Sequence, residues 1–120
     1  MKETKTTNPE LIQIIRLLKR ESRENDAGIW LDIAEYLSKS RSQRIAVNLS
    51  KINRNSKRSD VVVVPGKLLG SGSINHAVTV ASFGASEKAK EKLVAAKAKY
   101  LSISELLDKN PKGANIKIIR

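Results

Sequence analysis

The chain has 120 residues, 40% hydrophobic and 29% charged, with 23 Lys/Arg against 12 Asp/Glu for a formal charge of +11. That length suits a single domain, residues 1–120, and the composition lies outside the disordered range; a pI near 10.1 makes a polyanion the leading expected partner. Without cysteine there are no disulfides or thiolate metal sites. With neither a signal-peptide core in Met1–Thr7 nor an apolar run of about eighteen residues, a soluble cytoplasmic protein is expected.

Asn8-Pro9-Glu10 predicts a helix start. Asn8 can cap, Pro9 has the preset φ of a first helical residue, and Glu10 suits the positive end of the dipole. Leu11, Ile14, Ile15 and Leu18 follow at helical spacing, and Asn25-Asp26-Ala27-Gly28 ends the run. A second helix is expected from Ile29 to Ser38, with Trp30, Ile33, Ala34 and Leu37 on one stripe. Two helices and a tight loop invite comparison with a DNA-reading helix-turn-helix, but Asp32 and Glu35 on the second helix oppose it. A helical hairpin spanning residues 1–38 and packed on the rest is the better reading.

Ser38 to Arg44 is a polar basic loop. In the remainder, 45–120, Ile45 to Leu49 reads as a short strand and Ser50 as the cap of a small helix from Lys51 to about Ser56. Val61 to Val64 predicts a buried strand ending at Pro65-Gly66, followed by a Gly70-Ser71-Gly72 turn. Ala77 to Phe83 alternates like a strand, and Ser86 opens a lysine-rich helix with Ala89, Leu93 and Ala96 inward. Its lysines read as a solvated face. Tyr100-Leu101 suggests a strand end, Ser102 to Glu105 a capping box, and Asn110-Pro111 a stop. Ile116 to Ile119 closes the chain as a strand expected to be tied into the sheet. Trp30 and Phe83 read as core.

The charge is uneven. Between Glu35 and Glu87 stand eight bases and one acid, Asp60. Such a tract has too few carboxylates to neutralise itself and presents a field for an external polyanion. Arg41 and Arg44, with Lys39, occupy the serine-rich loop and offer planar forks for phosphate. Lys51, Arg54 and Arg58 stand at i, i+3 and i+7 of the expected short helix, with Lys57 beside them and Asn53 and Asn55 as neutral donors. Lys67 and Ser71 flank and occupy the glycine turn, where Gly66, Gly70 and Gly72 can supply positive φ and let a sugar-phosphate chain approach closely. His76 reads as a polar loop residue beside that turn and joins the candidate RNA-binding set. Only 3% of residues are aromatic, which argues against a base-stacking platform and for recognition through phosphate, 2′-hydroxyl and RNA shape.

Enzyme signatures fail. Asn75 stands where a dinucleotide loop needs its third glycine, and Gly66-Lys67 lacks the upstream glycine of a phosphate-binding loop. Gly70-Ser71-Gly72 is one residue too tight for a nucleophile elbow. The single histidine has no carboxylate to orient it and no second imidazole for a metal. No catalysis, cofactor, metal or small-molecule substrate is expected.

Asn8-Pro9, the run Val47 to Ile52, the run Val62 to Gly72 and the ending Asn110 to Gly113 through Ile118 to Arg120 resemble the large-subunit ribosomal protein eighteen-e family of archaea and eukaryotes. That family is related to large-subunit ribosomal protein fifteen. The resemblance covers nearly the whole chain, and the valine–proline–glycine–lysine to glycine–serine–glycine stretch is its most specific part. It implies an α/β fold in which an N-terminal helical hairpin precedes irregular β-β-α turns forming a small mixed sheet. It implies a structural role in the large ribosomal subunit, with large-subunit ribosomal RNA and neighbouring ribosomal proteins as partners and no membrane. The compact length resembles archaeal members. The loop at Ser40-Arg41-Ser42 departs from the family's proline and paired arginines, which bears on the contact assigned to Arg41. A general chromatin-type nucleic-acid binder is the alternative, distinguished by comparable affinity for duplex DNA.

Overall fold

A computed structural model describes residues 9–39 and 45–120. The elements run α1 (Pro9–Asn25), α2 (Gly28–Leu37), β1 (Ile45–Asn48), α3 (Leu49–Asn55), β2 (Val61–Leu69), β3 (Thr79–Ala85), α4 (Glu87–Ala95), β4 (Lys99–Ser102), α5 (Ile103–Lys109) and β5 (Ile116–Ile118). The α/β class and the N-terminal helical hairpin are as expected; the Asn8 cap lies outside the described residues. Asp26, at φ 51, turns the chain out of α1. Among the described residues no helix is long and apolar enough to cross a membrane.

The sheet is more regular than the resemblance implies, because all its pairings are parallel. Strand order is β1-β2-β3-β4, and β5 also pairs with β2. One edge of β2 is shared: β5 lies along Val61–Val63 and β1 along Gly66–Leu69. The closing strand is therefore tied into the sheet.

Contrary to expectation, β2 does not end at Pro65-Gly66. It continues to Leu69 through a bulge, with register stepping from Val64↔Ser82 to Lys67↔Gly84 and so adding one residue on β2. Proline has no N–H to give the ladder, so the irregularity falls where a bond is already missing. Gly66 is required by proximity: a Cβ there would lie 2.0 Å from the Ile45 carbonyl oxygen. Gly70 has the same character, its Cβ position 2.9 Å from the Ala89 nitrogen. Of the three glycines expected to supply positive φ, only Gly72 does, at φ 87.

Strand alternation divides the apolar interior in two. Val63, Ala81 and Leu101 face α1, α2 and α5, where Leu11, Leu18, Trp30, Ile33 and Leu37 are fully buried. Val62, Val64, Leu68 and Val80 face α3 and α4 through Leu49, Ile52, Ala89 and Leu93. Helices thus cover both faces, which is why β2 reads as a continuous valine run. Burying each of those valines is worth about 1.5–2 kcal/mol. Trp30 Nε1 donates to the Pro111 carbonyl at 2.7 Å, tying the hairpin to the segment after α5. Phe83 is only half-buried and packs against the first of these clusters. The Ser102–Glu105 capping box forms as expected, and Ser86 caps α4 by accepting from the Ala89 amide at 3.2 Å.

Candidate nucleic-acid interface

Because the strands are parallel, the turns at their C-terminal ends gather along one edge of the sheet, where open α/β sheets place their ligand sites. β1 passes there into α3 and β2 into the glycine turn. The cap of α3 differs from expectation: Asn48 holds the N-cap position and Ser50 already lies within the helix. The Asn48 side chain makes no cap bond. It accepts instead from the Ser71 amide at 3.3 Å, reaching across to the glycine turn.

From that point the 71–77 loop runs alongside α3 and the turn after it, laced to them by four contacts. The Ser50 amide donates to the Ser71 carbonyl at 3.1 Å, and the Asn75 amide donates to Asn53 Oδ1 at 3.1 Å. Ser56 Oγ lies 3.0 Å from His76 Nε2, and the Ser59 amide donates to the Ala77 carbonyl at 2.7 Å. Ser56 gives its own proton to the Ile52 carbonyl at 2.6 Å, so it accepts from His76. A ridge results, with Lys51 and Arg54 exposed on α3 and Ser71 exposed on the adjoining loop. His76 is half-buried in the lacing.

Lys92 supports this ridge from below. Its Nζ donates to the carbonyls of Gly70 at 2.7 Å and Gly72 at 2.5 Å, while the Ser71 carbonyl is occupied by Ser50. Three successive carbonyl oxygens of the turn are thus turned onto donors of the fold, leaving a surface from which their negative ends are withdrawn. Lys92 therefore does not belong to the solvated face expected of the α4 lysines. Its role escapes sequence reading because nothing in α4's periodicity distinguishes it from Lys90.

Arg58 is not on α3. The helix ends at Asn55 and Ser56 is extended, so the i+7 projection fails; Lys57 and Arg58 lie exposed on the following turn. That turn is fixed by Asp60, whose Oδ2 accepts from the Lys57 amide at 2.7 Å and from Lys117 Nζ at 2.9 Å. The Lys117 bond, then the Lys57 amide, hold the Asp60 carboxyl below its ordinary value of 3.8. The lone acid of the tract is thereby engaged by the closing strand through Lys117, and it also attracts the neighbouring Lys57.

Lys67 is exposed but points elsewhere: Leu68 packs with α3 and α4, so Lys67 projects from the opposite face of the sheet. Lys39 is exposed just past α2, its Nζ 5.2 Å from the centre of the Tyr36 ring. Arg41 and Arg44 lie outside the described residues. Among those residues no group of three His, Cys, Asp or Glu side chains could hold a metal ion.

The profile of the family described as "Ribosomal protein 60S L18 and 50S L18e" matches residues 1–120. The chain is similar to the large ribosomal subunit protein eL18 of Methanospirillum hungatei, with 48% identity over 114 residues that make up 95% of this chain and 94% of the relative. The protein of the same name from Methanococcus maripaludis is 44% identical over 119 residues, 99% of each chain. That from Pyrobaculum aerophilum is 43% identical over 116 residues, 97% of this chain and 95% of the relative. The chain belongs to the ribosomal protein 60S L18 and 50S L18e family.

Proposed function

We propose that this chain is a structural constituent of the large ribosomal subunit that binds and stabilises folded large-subunit ribosomal RNA, with no catalytic role. It acts as one unit in cytoplasmic ribosomes, beside neighbouring ribosomal proteins. Lys51 and Arg54 on α3, Lys57 and Arg58 on the next turn, and Ser71 and His76 on the laced loop make the main contact. Arg41 and Arg44 join this set by sequence, Lys39 flanks it, and Lys67 reaches RNA from the opposite face of the sheet.

The observation that carries this reading is the α3 ridge, a basic surface beside which the one carboxylate of the tract, Asp60, is bound by Lys117. Lysine and arginine neutralise phosphates and release counterions, so affinity must fall steeply with salt. With about six phosphate contacts, affinity for large-subunit ribosomal RNA falls about a thousandfold or more between roughly 50 and 200 mM salt. A binding titration across that range, with duplex DNA as competitor, checks it. A flat response contradicts the phosphate mechanism, and equal competition by DNA favours a general chromatin-type binder.

A further inference from the structure

The glycine turn is gripped from the side of α4. Ser86, the N-cap of that helix, donates its amide to the Leu68 carbonyl at 3.0 Å, which brings the helix start against the end of β2. The first helical turn then lies on Gly70, where an added Cβ would stand 2.9 Å from both Lys88 Cβ and the Ala89 nitrogen. Lys92, at i+4 from Lys88, is carried onto the same side of the helix and is half-buried. Among the described residues it is the α4 lysine that donates to main-chain oxygens, those of Gly70 and Gly72, and no carboxylate pairs with it. The Ser71 carbonyl between them is taken by the Ser50 amide, and Gly72 sits at φ 87, a conformation that suits glycine. A half-buried ammonium with two of its three donors on one loop fixes the shape of that loop.

We propose that Lys92 is a positioning residue for RNA binding: by holding the Gly70 and Gly72 carbonyls beneath the turn, it gives the turn the shape that meets a phosphodiester chain. This role rests on the ribosomal RNA reading above and deepens it, because it adds a residue outside the basic tract that acts through the turn and not on phosphate. A carbonyl oxygen carries partial negative charge, so oxygens released toward a phosphate would repel it. With Lys92 in place they are turned onto its ammonium instead. The effect reaches α3 as well. Ser71 is bonded to Asn48 and Ser50 at the start of that helix, so a turn that loses Lys92 also disturbs the surface beside Lys51.

The test is a binding titration of the full chain against large-subunit ribosomal RNA between roughly 50 and 200 mM salt. It compares wild type with Lys92→Met, Gly72→Ala, the double variant of these two, and Arg54→Gln. Losing one phosphate contact lowers the slope of log affinity against log salt by about 0.7 to 0.9, so the Arg54→Gln deficit shrinks about threefold across that range. Lys92→Met loses about tenfold in affinity, and its deficit changes by less than about twofold with salt. Gly72→Ala removes no charge but distorts the same turn, since its Cβ position lies 2.5 Å from Ser50 Cβ. It gives a similar salt-independent loss and carries the test if Lys92→Met does not fold. The double variant loses no more than the weaker-binding single variant, because both act through one turn. If the Lys92→Met deficit shrinks as that of Arg54→Gln does, Lys92 contacts phosphate directly and the positioning role is wrong. Wild-type affinity in Lys92→Met or in Gly72→Ala, or losses that add in full, also overturns it, while a weakened Arg54→Gln leaves the ribosomal RNA reading standing. If the wild type itself shows no salt-dependent binding, the broader reading fails with it.

Discussion

Asp60 decides how much of the basic tract's charge is available, because it is the only carboxylate between Glu35 and Glu87. Its bonds to Lys117 and the Lys57 amide lower its pKa in the folded chain. A depressed carboxylate contributes stability that is present above its unfolded value and lost as pH falls through the folded one. Glu105, lowered by its capping-box bonds to Ser102, has the same sign. Urea unfolding of wild type and Asp60→Asn should therefore differ at pH 5 to 7, with the wild type more stable, and converge as pH drops below the ordinary value of 3.8. A gap that widens on acidification contradicts the assignment. At this scale the sequence discloses contacts made within a turn or two, such as the capping box and the Trp30 stripe. It does not disclose Lys117–Asp60 or Arg120–Tyr36, which lie 57 and 84 residues apart and depend on where β5 docks.

Hydrophobic periodicity locates the elements well, because α1 and α2 bury one stripe each. It places the boundaries of β2 and α3 less well. β2 continues past Pro65-Gly66 because the bulge absorbs the missing N–H, and the closeness of β1 at Ile45, a tertiary fact, makes Gly66 necessary. The end of α3 at Asn55 likewise follows from the lacing of Ser56 and Ser59 to the neighbouring loop. Gly66→Ala should destabilise the fold by about 3 kcal/mol, since the added methyl meets backbone that cannot yield without moving β1. Gly84→Ala, one strand over, meets nothing within 4 Å and should stay within about 0.5 kcal/mol. Thermal unfolding of both checks this; equal losses would show that β1 is not held against β2 as described.

At the scale of the whole molecule, a parallel sheet covered on both faces gives a rigid frame, and its turns and α3 carry the charge outward. The family was legible from contiguous motifs, above all Val62 to Gly72, and the basic tract from charge counting. The shape of the candidate site was not, because it is made by packing: α3 against the 71–77 loop and Lys92 beneath the glycine turn. Lys67, adjacent to the turn in sequence, ends on the other face for the same reason. The central claim is that this ridge meets ribosomal RNA, and a density map of a large subunit containing this chain tests it most directly. The account predicts phosphates within hydrogen-bonding reach of Lys51, Arg54, Lys57 and Arg58, and nucleotide backbone packed along the Ser71 turn. A map with that ridge open to solvent, or covered by another protein alone, would contradict it.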